Sequence, residues 1–168
     1  SDFSYFSYEV DPNTGDPNST HGWATNAAVT DALNNGVNVN LCVTLFSSHA
    51  TLFGNPTATQ NLITNLINLV QSRGAHGVNI DFEGIASSQK TNFTNFMIDL
   101  SNQMHTAIPG SQVSTVLYAV DWNNVFDIQA LDPYVDLFII MGYGYYYNGS
   151  NTSGPTDPLY HFGNNYNY

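Results

Sequence analysis

Two apolar stripes with helical spacing do most to limit what this chain can fold into. Leu62, Ile63, Leu66, Ile67 and Val70 mark one face of a helix that opens at Asn55–Pro56 and closes at Gly74. Phe93, Phe96, Met97, Leu100 and Met104 mark a second, running from Ser87 or Ser88 to Pro109 and Gly110. Strand-like segments surround them: FSYFSYEV (3–10), VNVNLCVTLF (37–46), HGVNIDFEG (76–84), QVSTVLYAV (112–120) and VDLFIIMGYGYYY (135–147). Thr25 is placed to cap a shorter helix through Leu33, ended by Asn34, Asn35 and Gly36. DPNTGDPNSTHG and SSHATLFG read as loops, and 121–133 as a connection with one helical turn. From Asn148 the chain reads as a polar, aromatic loop.

Strands and helices in alternation predict a parallel sheet with right-handed crossovers. The early strand-to-strand steps run roughly 35–38 residues, close to one unit of a (β/α)8 barrel. A doubly wound open sheet shares this grammar, but no phosphate-cradling GxGxxG or GxxxxGK[ST] follows the first strand. The expectation is an α/β fold of (β/α)8 TIM-barrel type carrying about five of its strands, as one partial domain over residues 1–168. Five strands leave two open edges and an open interior, expected to be apolar, and both favour self-association through the sheet edges.

Charge narrows the partners. Arg73 and Lys90 are the only basic residues against 13 Asp and Glu, for a formal net charge of -11. Phosphate-backbone binding needs Lys and Arg, so nucleic acid is excluded as a partner, as is docking on an anionic membrane. No apolar run reaches about 18 residues, the length of a membrane span. Only 9% of residues are charged, so solubility rests on Asn, Ser and Thr, and a neutral substrate rich in hydroxyls and amides fits such a surface. Cys42 is alone, which rules out an internal disulfide, and it reads as a small buried hydrophobe. No signal peptide is visible; the chain opens in a strand-like segment, as a mature or excised piece would.

The chemistry concentrates in HGVNIDFEG. Val78, Ile80 and Phe82 alternate with Asn79, Asp81 and Glu83, so a strand puts the three polar groups on one face. In a helix-covered parallel sheet the apolar set faces the helices, and the polar set points toward the barrel axis near the C-terminal mouth. The alternatives are an edge strand with its polar face in water, or a metal site helped by His76. Calcium loops, however, place their oxygens on a turn with Gly and polar spacers, and the spacers here are Ile and Phe. Crowded carboxylates resist joint ionisation, so one of the pair is expected to stay protonated. That is how a Glu becomes a general acid, and Glu83 is the better placed. Asn79 is expected to hold Asp81 by a hydrogen bond. Tyr145, Tyr146 and Tyr147 suit either sugar stacking or covering the barrel rim, and Trp122 suits the cleft, the core or the rim. His21, His49, His105 and His161 lack metal spacing and read as surface or loop residues. Lys90 and Arg73 read as surface charges.

HGVNIDFEG resembles the fourth-strand signature DxxDxDxE of glycoside hydrolase family 18, in the wording of its bacterial, spore-type branch. FSYFSYEV, NVNLCVTLF, STVLYAVDW and VDLFIIMGYGY are similar to the family's second, third, fifth and sixth strands, the last matching MxYD. SGPTDPL resembles a Gly-Pro segment that follows. The resemblance implies retaining, substrate-assisted hydrolysis of β-1,4 N-acetylglucosaminide linkages in chitin, chitooligosaccharides or peptidoglycan-like glycans. It implies Glu83 as proton donor, Asp81 as the group orienting the acetamido N–H, and Tyr143 as a hydrogen-bond partner of the acetamido oxygen. Asn79 and Met141 would line the sugar site, no cofactor or metal is implied, and the protein would be secreted or at the cell surface. The departures are Asn79 and His76 at two Asp positions, Gly144 at the Asp of MxYD, and no counterpart of strands 1, 7 and 8. A non-catalytic chitin- or glycan-binding relative, and a surface or adhesion module without a sugar site, are the two competing readings.

Overall fold

A computed structural model of the chain describes residues 1–157. The elements run β1 (Asp2–Val10), β2 (Pro17–Ser19), α1 (Ala27–Asn34), β3 (Asn38–Leu45), α2 (His49–Phe53), α3 (Pro56–Arg73), β4 (Gly77–Phe82), α4 (Lys90–Ala107), β5 (Gln112–Tyr118), α5 (Ile128–Leu131) and β6 (Leu137–Met141). A 3-10 turn at Ser87–Gln89 leads into α4. They form one sheet in the order β2-β1-β3-β4-β5-β6. All neighbours are parallel except β2, which pairs antiparallel with β1. This is the expected α/β architecture, an arc of β/α units rather than a doubly wound sheet.

Local chemistry sets the long helices. Asn55 caps α3 by accepting from the Ala58 N–H, Pro56 takes the first turn, and Gly74 closes it at φ +62°. Asn55→Ala is expected to cost about 1 kcal/mol, read as a lowered midpoint in urea unfolding. Ala58, Leu62, Ile63, Leu66 and Val70 of α3 are buried, as are Phe93, Phe96, Met97, Leu100 and Met104 of α4. These stripes cover Val78, Ile80 and Phe82, and the Phe82 ring lies among Phe53, Phe93 and Phe96, stacked on Phe96 at 5.6 Å. Because that side of β4 is dry, the opposite side must carry Asn79 and Asp81.

Several boundaries differ from expectation. The cap of α1 is Asn26, which accepts from Ala28 N, and not Thr25. The loop 11–22 contains β2, whose Pro17 sits where an edge strand tolerates it. The segment after β3 winds into α2, a single short helix entered from Ser48 at φ 62° with no side-chain cap. β6 ends at Met141, well short of residue 147. Gly142 and Gly144 follow it, and Gly144 has φ +81°, outside strand geometry.

The inward face is the larger correction. Strand register places Asn40 beside Gly77 and Gln112, Cys42 beside Asn79 and Ser114, and Thr44 beside Asp81. That face is therefore mostly polar, not apolar. Asn40 Nδ2 donates to Gln112 Oε1 across the space above Gly77 at 2.7 Å. Apolar side chains enter it toward β6, at Val116, Leu137, Ile139 and Met141. Nor are the two edges alike, since β2 covers the end of β1 while β6 is the last strand among the described residues.

Candidate active site

Glu83 is the first residue beyond β4, and the ladder still reaches it: its N–H donates to the Leu45 carbonyl at 3.0 Å. Asp81 lies one pleat deeper and Asn79 one deeper again. Asn79 is buried and Asp81 and Glu83 are half-buried, as expected for a row running from the interior to the mouth. Burial, and then the charge of Glu83, push the Asp81 carboxyl above the usual carboxylate range. Crowding therefore tells on Asp81, the deeper of the two. Its Oδ1 is buried without a hydrogen-bond partner.

The expected hydrogen bond from Asn79 to Asp81 is replaced by another. Asn79 Oδ1 accepts from Ser114 Oγ at 3.1 Å. Cys42 lies beside it in register on β3, its buried thiol pushed up to about 12 by burial and by the charge of Asp81. Cys42 is buried as expected, but in the polar inward row. The amide thus serves a cross-strand bridge from β4 to β5, and the carboxylate beside it is left with a free oxygen. His76 is a structural residue: its Nδ1 accepts from Val39 N and its backbone bonds both Val39 and Gln112.

β6 brings the other candidates to the same mouth. Met141 pairs in register with Tyr118, and Tyr143 follows two residues on, exposed. The Tyr143 hydroxyl is shifted up by partial burial and by the charges of Glu83 and Asp81. The structure thus gathers Asn79, Asp81, Glu83, Met141 and Tyr143 at one end of the sheet. Gly144 stands in open space, with no atom within 4 Å of where a Cβ would lie. Trp122 is 89% exposed, which removes it from the core. Tyr145 and Tyr146 are half-buried and Tyr147 is exposed.

Two further residues join the mouth without having been singled out. Tyr118 ends β5 and accepts the Gly84 N–H through its hydroxyl. Burial and the charges of Glu83, Asp121 and Asp81 shift that hydroxyl up. Asp121 holds Phe126 N through Oδ2, while its buried Oδ1 lacks a partner. Strand alternation alone would have flagged Tyr118, since it shares a face with Ser114.

The remaining ionisable groups are structural. His49 is buried, its Nε2 donating to the Leu45 carbonyl, and burial depresses its pKa. His21 pairs with Glu9 at 2.7 Å and His105 with Asp136 at 2.9 Å. His161 lies outside the described residues. Lys90 donates to Asn124, and Arg73 to the carbonyls of Ala24 and Asn26, so neither is an idle surface charge. Among the described residues no group of three or more His, Cys, Asp or Glu gathers to hold a metal, and no helix is long and apolar enough to cross a membrane.

Two carboxyl groups side by side at the C-terminal mouth of parallel β/α units are what a glycosidase of the barrel class employs. Comparison with known proteins agrees with this. The chain belongs to glycosyl hydrolases family 18, whose sequence pattern matches residues 24–168. It is 31% identical over 114 residues to YdhD of Bacillus subtilis (strain 168), a protein named as a sporulation-specific glycosylase, covering 64% of this chain and 26% of that one. The crystal structure of YdhD superposes with a TM-score of 0.79 at 27% identity, over 94% of this chain and 54% of that chain. The spore cortex-lytic enzyme SleL of Bacillus cereus (TM-score 0.78, 19% identity, 91% of this chain and 36% of that) shares the fold. So does a family 18 chitinase from Cycas revoluta solved with (GlcNAc)4 (TM-score 0.75, 17% identity, 91% and 51%). The chain spans about a quarter of YdhD's sequence and about half of its solved structure.

Proposed function

We propose that this chain carries the reacting face of a retaining, substrate-assisted β-N-acetylglucosaminidase, acting on β-1,4 linkages in chitin, chitooligosaccharides or a peptidoglycan-like glycan. The observation that carries the reading is the Asp81–Glu83 pair at the mouth, with Tyr143 within its field. Glu83 passes its proton to the glycosidic oxygen as the C1–O bond breaks. The acetamido oxygen of the same sugar closes onto C1, giving an oxazolinium ion. Asp81, through its free Oδ1, accepts the acetamido N–H and offsets the positive charge, while Tyr143 donates to the acetamido oxygen. Water then adds to C1 as Glu83 takes its proton, and two inversions leave the original anomer. Asn79 keeps the row in register beneath the sugar, and Met141 offers an apolar contact. The YdhD and SleL names and the (GlcNAc)4 bound by the Cycas chitinase support this substrate class.

The test is dependence on the acetamido group. A chromogenic N,N′-diacetylchitobioside is expected to be cleaved with release of the β-anomer, and the de-N-acetylated analogue at least about 100-fold more slowly, since it lacks the internal nucleophile. Equal rates on the two substrates would sink the reading. One observation favours a second reading, glycan binding without turnover: Gly144 supplies no side chain where the family motif has Asp. Retention on chitin beads with no hydrolysis would select it.

A further inference from the structure

We propose that Tyr118 is the positioning residue for Glu83, holding the turn that carries its carboxyl by accepting the Gly84 amide hydrogen bond. The inference rests on the reading of Glu83 as the proton donor. Glu83 lies beyond the end of β4, so regular strand pairing alone does not fix its direction. On the β3 side its own N–H is tied to the Leu45 carbonyl at 3.0 Å. On the β5 side the paired register ends at Ile80 and Thr115, leaving the exit of β4 without a backbone partner there. The Tyr118 hydroxyl fills that gap at the next residue, taking the Gly84 N–H at 2.5 Å. Glu83 thus sits between two anchors, one from each flanking strand.

The phenol is a stiff anchor. Its ring packs on Phe126 at 5.6 Å, and Phe126 meets Phe93 of α4 edge-on at 5.6 Å. The Phe126 N–H is held in turn by Asp121 Oδ2. Gly84 takes the turn at φ +71°, with the Phe46 carbonyl 3.3 Å from where a Cβ would lie, so the turn has little room to move. Having accepted from Gly84, the hydroxyl keeps its own proton to offer. The charged groups acting on it are Glu83 and Asp81 from β4 and Asp121 from the loop after β5. Tyr143 from the exit of β6 and Cys42 from β3 face the same carboxyls. Burial and the charges of Glu83, Asp81 and Asp121 outweigh the lowering pull of the Gly84 N–H, so the phenol stays protonated.

Tyr118→Phe keeps the ring and removes only the hydroxyl. On diacetylchitobioside, kcat is expected to fall about tenfold with KM changed less than about twofold, as for a group acting on the transition state through another residue. In proton NMR the Gly84 amide resonance is expected to move upfield, because its hydrogen-bond acceptor is lost. A purely structural tyrosine would lower the folded fraction but leave kcat per folded molecule in place. Glu83→Gln is the control. If Glu83→Gln is inactive while Tyr118→Phe matches the wild type in kcat, the Tyr118 proposal is overturned. If Glu83→Gln turns over like the wild type, the assignment of Glu83 fails instead. An unmoved Gly84 resonance in Tyr118→Phe would then overturn the anchor as well.

Discussion

Glu83→Gln is expected to lower kcat on diacetylchitobioside by about three orders of magnitude, within the range that a general acid contributes, with KM changed only a few-fold. The amide fills the same space and still accepts a hydrogen bond, so sugar binding survives while proton delivery is lost. Anchors from Leu45 and Tyr118 hold the backbone at this position, not the side chain, so the substitution leaves the turn intact. Stability supplies a second readout. Asp81 has its folded pKa raised, chiefly by burial and then by the charge of Glu83. The folded protein therefore binds the Asp81 proton more tightly than the unfolded chain does, and stability falls as pH rises from the ordinary carboxylate range through the raised value. Removing the Glu83 charge narrows that window and leaves the burial part. Thermal unfolding of Glu83→Gln above the window is thus expected to show a higher midpoint than wild type, with the two converging at lower pH. An active Glu83→Gln, or a loss of activity accompanied by unfolding, would contradict the proton-donor role.

The second large effect is on the fold itself. Gly77→Ala is expected to destabilise by about 3 kcal/mol or more, enough to lower the melting temperature by roughly 10 °C. A Cβ at this position would lie 1.8 Å from the Gln112 carbonyl oxygen and within 3 Å of two more backbone atoms of Gln112. No rotamer relieves an overlap with backbone, so β4 and β5 must move apart where their pairing starts. The Asn40–Gln112 hydrogen bond crosses over the same spot and is displaced with it. Because β4 carries Asp81 and Glu83, whatever the variant retains of its fold is expected to have lost site geometry too. An unchanged melting curve for Gly77→Ala would show that the two strands are not this close.

The central strand, its polar row and the two long helices were legible because each signal there repeats. Alternation on β4 and i, i+3, i+4 spacing on α3 and α4 agree on which sides meet, and Asn55–Pro56 with Gly74 punctuates α3 at both ends. Two short elements, α2 and β2, were not legible, whereas α5 falls on the one helical turn expected within 121–133. α2 has five residues and no capping side chain at Ser48, too little for periodicity to act on. β2 is three residues held by pairing with β1, a long-range contact absent from local pattern. The end of β6 was overdrawn since Tyr-rich sequence suits a strand, whereas the glycines at 142 and 144 turn the chain away. Within the site, Asn79 was found but its partner was not, because Ser114 lies on a strand far away in sequence. Alternation puts Tyr118 on the inward face with Ser114, but its bond to Gly84 crosses a strand boundary that local pattern does not describe.

The polar inward row has an engineering consequence. An arc lined by Asn40, Cys42, Thr44, Asn79, Gln112 and Ser114 offers any complementary set of β/α units a hydrogen-bonding lining to meet. Grafting such units onto it involves two seams, one at each edge of the arc, and one of them is the more demanding. That seam is β6, where Leu137 and Ile139 point inward and Leu137 is 40% exposed. Chimeric barrels joined at β6 and supplying an apolar neighbour there should accept this arc as a cassette, and Leu137 and Ile139 are the positions at which to begin fitting the join.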